Sequence, residues 1–164
     1  MGVRNVAKAI IVRDGKILLN WGYNTFKEGL WGLSLGAVTR GLPGGGQNQF
    51  ESLEETVKRE CLEETGYVVK VDKLGAIFEE ISANKDYRLC YKDYAHKIHF
   101  VFVCFLESEV ALAPAEKDAG VVGLEWVDIE KLEEITLLPR AVHGKLFRIL
   151  QEDGVVYLGS ELVP

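Results

Sequence analysis

Long apolar runs, a basic excess and a cysteine framework are all missing from this sequence. The longest apolar stretches, such as Phe100 to Leu106, fall far short of the roughly 20 residues that a bilayer-spanning helix needs. The opening Met1-Gly-Val-Arg-Asn-Val6 carries no apolar secretion-signal core, and Cys61, Cys90 and Cys104 are odd in number with no Cys-x-x-Cys pair. Both observations make a reducing cytoplasm the expected compartment. Nineteen basic against 25 acidic side chains leave a formal charge of −6. That sign is wrong for a protein that binds nucleic acid by displacing counterions from phosphates, so stable nucleic-acid binding is not expected. A phosphate-handling protein can still be acidic, provided a bound divalent cation reverses the charge where the substrate sits. Pro/Ser-rich linkers, low-complexity tracts and internal repeats are absent as well, and residues 1–164 read as one domain.

What is present is 48% hydrophobic and 27% charged residues. A chain of this length buries roughly 70% of its unfolded surface, enough to hold a core without disulfides or a structural metal. Val6 to Val12 and Ile17 to Trp21 read as a hairpin joined at Asp14-Gly15, a dipeptide that suits a tight turn. Gly22 to Gly41 reads as a loop with a short strand from Trp31 to Val38. After the break Leu42-Pro-Gly-Gly-Gly46, Ser52-x-x-Glu55 has the spacing of a capping box, predicting a helix over Leu53 to Thr65 that Gly66 ends. Val68 to Val71, Leu74 to Ile81, Ile98 to Leu106 and Val121 to Trp126 read as strands. Asp128 is expected to cap a short helix through Leu132, and a final amphipathic helix is expected from Pro139 or Arg140 to Asp153-Gly154. Strands mixed with helices imply a layered α/β or α+β sheet.

The central helix is unusual. At about 100° per residue, Leu53, Val57 and Cys61 share its core-facing arc. Glu60 and Glu64 project into the margin of that arc, Glu63 lies beside Glu60, and Glu54, Glu55 and Lys58 point elsewhere. Carboxylates gathered beside an apolar stripe repel one another and lose hydration, at several kcal/mol per ion, roughly, unless something compensates. Arg59 can pair with Glu51, Glu55 or Glu63, but one guanidinium cannot neutralise the set. A divalent cation and a wet helix edge both satisfy this geometry.

The spacing also matches a pattern. Gly45, five residues, Glu51, seven residues, then Arg59-Glu60-Cys61-Leu62-Glu63-Glu64-Thr65-Gly66-Tyr67 resembles the complete box of the Nudix hydrolase family, here spanning 45–67. The preceding hairpin, the Pro43-Gly44-Gly45 approach and Glu125-Trp126-Val127 followed by a short helix resemble the family's arrangement too. The resemblance implies an α/β/α sandwich with a mixed β-sheet. It also implies Mg²⁺- or Mn²⁺-dependent hydrolysis of a nucleoside diphosphate linked to another group, the partner being a small nucleotide-type molecule. By the same resemblance, Glu60 and Glu64 are the main metal ligands, Glu63 serves an additional metal, and a backbone carbonyl near Gly44 completes the shell. Glu51 and Arg59 form a supporting ion pair, with Gly45 and Gly66 as structural supports. Glu116 and Asp118 are candidates for the general base or a further ligand, with Glu60 and Glu63 as alternatives. Asn48 and Phe50 depart from the family, which commonly has an acid and a glycine there; Phe50 enters a left-handed conformation less easily than glycine, so a different loop path is expected.

Other constellations are weaker. No Gly-Lys-Ser/Thr follows Gly44-Gly45-Gly46, which argues against a P-loop. His96 and His99 should face opposite sides of a strand, His143 has no evident partner, and Cys61 reads as packing. Between Asn84 and His99, Tyr87, Tyr91 and Tyr94 alternate with Lys85, Arg88, Lys92 and Lys97. Tyr87 and Arg88 are therefore substrate-binding candidates, as is Arg40 on the loop before the box with Trp21, Tyr23 and Trp31. An extended hairpin or a contact in a homodimer explains the Tyr/Lys segment equally. Two rival functions stand beside hydrolysis. One is a nucleotide-binding regulatory module without turnover; the other is an isoprenoid diphosphate isomerase, which lacks a visible acid and nucleophile pair.

Overall fold

The computed structural model describes residues 2–24, 33–112 and 121–164. Strand β1 (Arg4–Arg13) and β2 (Lys16–Tyr23) form the expected hairpin across Asp14-Gly15. They pair only beside the turn, Val12 opposite Ile17 and Arg13 opposite Lys16. Beyond those pairs the strands part and build two sheets. β1 runs parallel to β5 (His96–Leu106), β5 pairs antiparallel with β4 (Val69–Ser82), and β4 pairs parallel with β8 (Val156–Val163). On the other side, β2 lies between β6 (Val121–Asp128) and β3 (Val38–Gly41), and the two-residue β7 (Leu137–Leu138) pairs with β3.

The parting leaves the edge of β1 away from β5 without a strand along 5–9, and the glycine loop fills that edge. The amides of Ala7 and Ala9 donate to the carbonyls of Gly45 and Pro43, both at 2.9 Å, and the Gln47 amide donates to the Asn5 carbonyl at 3.1 Å. Thus the loop is stitched to the centre of the sheet. Buried backbone groups must find partners, and here they find them in the segment that carries the box.

Alternation along the strands makes two cores. Ala7, Ala9 and Ile11 of β1, Leu18 of β2 and Phe102 and Cys104 of β5 meet Val57 and Cys61 of helix α1 (Leu53–Thr65). Ile10, Ile17, Leu19, Phe78 and Val101 face the other way, against Leu146 and Ile149 of a short helix near the C-terminus. Helices on both faces of a mixed sheet make the α/β/α sandwich. Each period-2 switch from one core to the other matches the pleat.

Several elements differ from the sequence reading. Val68–Val71 and Leu74–Ile81 are one strand, β4, interrupted by register shifts between Val71 and Lys73 and between Leu74 and Ala76; bulges hide the continuous alternation. Of the strand expected over 31–38, Trp31 and Gly32 lie outside the described residues, 33–37 are turn or coil, and β3 begins only at Val38. The long final helix is two pieces, a 3-10 turn at Arg140–Val142 and helix Leu146–Gln151, separated by Gly144 at φ 68°. The 129–134 segment is also 3-10, and Asp128 does not cap it; its carboxylate takes the Lys16 ammonium at 2.7 Å instead. His143 does have a partner, its Nε2 lying 2.9 Å from the Leu132 carbonyl. The Tyr/Lys segment connects the antiparallel β4–β5 pair, Ile81 lying opposite His96, and it does so through helix α2 (Lys85–Cys90), capped by the Asn84 side chain, which accepts from the Tyr87 amide. The C-terminal short helix is α3, and β8 was absent from the sequence reading.

Candidate active site

Helix α1 is fixed at both ends before any chemistry is considered. Ser52 accepts from the Glu55 amide at 3.2 Å while Glu55 accepts from the Ser52 amide at 2.8 Å. Gly66, in left-handed conformation, donates to the Leu62 carbonyl at 2.9 Å. N-caps of this kind contribute about 1 kcal/mol. With Val57 and Cys61 fully buried, the helix cannot rotate, and Glu60, Glu63 and Glu64 stand along the edge that meets the glycine loop. Burial pushes the Cys61 thiol well above its ordinary value, so this cysteine is packing and not a nucleophile.

Arg59 organises the acidic side chains. Its Nε and Nη2 donate to the two oxygens of Glu51 at 2.7 and 2.9 Å, a bidentate geometry with directional strength. Nη1 donates to Glu60 at 2.8 Å and Glu63 at 2.9 Å, and Nη2 also reaches the Gly46 carbonyl at 3.1 Å. Of the partners open to Arg59, Glu51 and Glu63 are taken and Glu55 is not, because Glu55 closes the capping box. The Arg59 hydrogen bonds hold the Glu51 carboxyl down at about 2 against its partial desolvation, helped by the Asn48 amide and the Thr56 hydroxyl. Arg59 is raised in return, first by Glu51.

Glu64 is held separately. Its Oε2 accepts from the Gly44 amide and from Asn20 Nδ2, both at 2.8 Å. The two glycines are required by contact. A Cβ on Gly44, at φ 127°, would lie 2.1 Å from the Ala7 carbonyl oxygen, and one on Gly45 would lie 2.5 Å from Glu60 Oε2. Only a bare backbone lets the loop sit between β1 and the Glu60 carboxylate.

Among the described residues, no three His, Cys, Asp or Glu side chains already converge as a cation cage, since Arg59 stands between Glu60 and Glu63. The donor set nevertheless fits a hard divalent cation, which prefers oxygen ligands. Glu51, Glu60, Glu63 and Glu64 outnumber their one arginine. The Gly44 carbonyl accepts from the Lys8 ammonium. Asn20 Oδ1 is buried beside Glu64 with no hydrogen-bonding partner, another oxygen available to a cation. Lys8 and Asn20 were missed in the sequence. The available signal was a polar residue inside an apolar strand, Ala7-Lys-Ala9 and Leu19-Asn20.

The remaining candidates lie elsewhere. Arg40 pairs with Glu125 at 2.8 Å across the β3–β2–β6 sheet. Arg88 Nε donates to the Ser82 carbonyl, and Tyr87 packs on Tyr91 with ring centroids 4.9 Å apart; neither touches the α1 carboxylates. Glu116 and Asp118 lie outside the described residues. Phe50 takes φ 69°, so the loop keeps the left-handed turn despite the side chain, and its ring is left 97% exposed.

The NUDIX domain family model matches residues 3–148. The chain belongs to the Nudix family. Its fold is similar to that of a NUDIX hydrolase from Nitrosomonas europaea, at 20% identity and TM-score 0.65 over 91% of this chain and 88% of that one. An ADP-ribose pyrophosphatase from Streptococcus suis is similar at 16% identity and TM-score 0.61, over 98% of this chain and 100% of that one. A mutator MutT protein from Bacillus halodurans is similar at 26% identity and TM-score 0.61, over 94% and 87%. No curated protein matches the chain. Membership makes this Nudix protein an enzyme of the pyrophosphohydrolase class, within a family that uses divalent metal ions and acts on small nucleotide-type substrates. Among the described residues, no helix is long and apolar enough to cross a membrane.

Proposed function

We propose that residues 1–164 form one Nudix domain that hydrolyses a nucleoside diphosphate linked to another group, with Mg²⁺ or Mn²⁺ as cofactor. The observation that carries this reading is the excess of carboxylates around Arg59 on the edge of α1. Glu60, Glu63, Glu64 and the Gly44 carbonyl are the ligands in this account. When bound, the cation would neutralise phosphoryl oxygens and bring a water close to deprotonation at neutral pH.

The chain's own residues then have distinct tasks. Arg59 orients Glu60 and Glu63, and Glu51 fixes Arg59 against the loop; these are positioning roles. Glu60 and Glu63 are the described carboxylates able to accept the proton of an attacking water, with Glu116 the third candidate. Gly44 and Gly45 hold the loop close enough for Glu60 and Glu64 to act together. Lys8, beside the Gly44 carbonyl, offers an ammonium to a substrate phosphate oxygen. The free cysteines Cys61, Cys90 and Cys104 suit a reducing cytoplasm.

The test is a turnover panel of nucleoside triphosphates, ADP-ribose, nucleotide sugars and dinucleoside polyphosphates with Mg²⁺ or Mn²⁺, resolved by product. Metal-dependent release of a nucleoside monophosphate supports the reading. Binding of these nucleotides with no hydrolysis under either metal would replace it with the regulatory-module reading.

A further inference from the structure

The box loop contains a strained residue whose own side chain does nothing to offset the strain. The Glu51 amide donates to the Asn48 carbonyl at 3.3 Å, closing a turn whose third residue, Phe50, takes φ 69°. That conformation is unfavourable for a residue with a Cβ and open to glycine. The Phe50 ring lies almost wholly in solvent, so its burial gives no compensation. A backbone in such a region persists only where its surroundings over-determine it. The hydrogen bonds that do so here centre on Gln47.

Gln47 is fastened to β1 and reaches across the turn. Its amide donates to the Asn5 carbonyl at 3.1 Å, and its Oε1 accepts from Asn5 Nδ2 at 2.8 Å. Its Nε2 donates to the Glu51 carbonyl at 2.6 Å, a bond that spans Phe50. The same stretch separates the two places where Arg59 grips the loop. Nη2 donates to the Gly46 carbonyl at 3.1 Å and to Glu51 Oε2 at 2.9 Å, and Nε donates to Glu51 Oε1 at 2.7 Å. Residues 47–50 therefore set the distance between the anchors of one rigid guanidinium. Were the turn to relax at Phe50, Glu51 would shift against Gly46, and Arg59 would lose one anchor or move. Because Arg59 Nη1 holds Glu60 and Glu63, that movement would reach both carboxylates.

We propose that Gln47 is a positioning residue for the α1 site: anchored by Asn5, it holds the turn at Phe50 in its left-handed form and so keeps Glu51, Arg59 and Glu60 in register. It acts through Glu51 and Arg59 and not on the reacting atoms. A glycine at position 50 would hold the same turn without such a clamp, which makes Gln47 and Phe50 an energetically coupled pair. The proposal rests on the hydrolase reading above for its effect on turnover, while the clamp itself belongs to the metal-free protein.

The test compares the full chain as wild type, Gln47→Met, Phe50→Gly and the Gln47→Met/Phe50→Gly double variant. Gln47 is a half-buried loop residue, and methionine keeps its length while removing the donor to Glu51 and leaving only a weak acceptor for Asn5. In the metal-free protein, hydrogen exchange at Arg59 Nε–H, followed by NMR, should quicken about 10-fold in Gln47→Met, the equivalent of one lost hydrogen bond. Mn²⁺ affinity and kcat should fall by a similar factor with KM little changed. In the double variant all three should return to within about 2-fold of Phe50→Gly alone, the margin within which independent sites add. A side chain that merely stabilised the fold would not be rescued by a glycine three residues away. Unchanged Arg59 exchange in Gln47→Met, or losses that persist undiminished in the double variant, would overturn the proposal. The two readings fail separately. Hydrolysis by the wild type with unchanged exchange in Gln47→Met removes the clamp alone, whereas rescued exchange in a protein that hydrolyses none of the tested nucleotides removes the hydrolase reading alone.

Discussion

The two faces of the sheet handle charge in opposite ways. On the α1 face, Glu51, Glu60 and Glu63 share the Arg59 guanidinium, and Glu64 accepts from the Gly44 amide and the Asn20 side chain. On the opposite face, Glu80 has Lys97 and His99 as close cationic or neutral neighbours. Burial raises the Glu80 carboxyl, but the His99 and Lys97 interactions prevail and bring it to about 2. The first face gathers carboxylates around one guanidinium, and the second pairs its buried carboxylate with a cation from the neighbouring strand. A net charge of −6 describes neither; what matters is which carboxylates are left uncompensated.

The largest effect should come from the α1 face. Glu60→Gln keeps the size of the side chain and removes its charge. Turnover with Mg²⁺ or Mn²⁺ should fall by about 10³-fold with the circular-dichroism melt little changed, and an unaltered kcat would break the contrast between the faces. Gly45→Ala comes next, because the added Cβ would meet Glu60 Oε2 at 2.5 Å. Displacement of a catalytic group on that scale should cost about 10²-fold in kcat, read by steady-state kinetics, with a smaller loss of thermal stability.

Glu51 sharpens the comparison through pH. Its value is depressed from 4.5 to about 2, so its contribution to stability is complete above 4.5 and is lost as pH falls toward 2. Melts across that window should show the wild type losing stability while Glu51→Gln, already weaker at pH 7 by about 1–3 kcal/mol, changes less. Parallel curves would show that the Arg59 pair is not the linked group. The smallest effect belongs to Phe50, left-handed at φ 69° and exposed. Phe50→Gly should raise stability by about 1 kcal/mol, measured by denaturant midpoint, and leave kcat in place.

The α1 face was legible in the sequence because its parts are local. Ser52 and Glu55 cap the helix, Gly66 ends it, and Glu51 to Glu64 lie within four turns of one another, so 3.6-residue periodicity orders them without knowledge of the fold. The β1–β2 hairpin was legible for the same reason, through Asp14-Gly15. The opposite face was not. Lys8, Glu80, His99 and Glu161 are brought together by the β1–β5, β4–β5 and β4–β8 registers, and β8 itself, with Gly159 and Ser160 in its middle and Tyr157 and Leu162 exposed, lacks the apolar alternation that marks a strand. Asn84 was a readable cap for α2, but the Tyr/Lys alternation after it drew attention to binding. In the structure Arg88 donates to the Ser82 carbonyl and Tyr87 packs on Tyr91.

Manganese binding followed by electron paramagnetic resonance on wild type, Glu60→Gln and Glu80→Gln tests the division between the faces most directly. The account predicts that Glu60→Gln weakens Mn²⁺ affinity by about 10-fold or more while Glu80→Gln binds as the wild type does. Undiminished binding in Glu60→Gln, or an equal loss in Glu80→Gln, would contradict it.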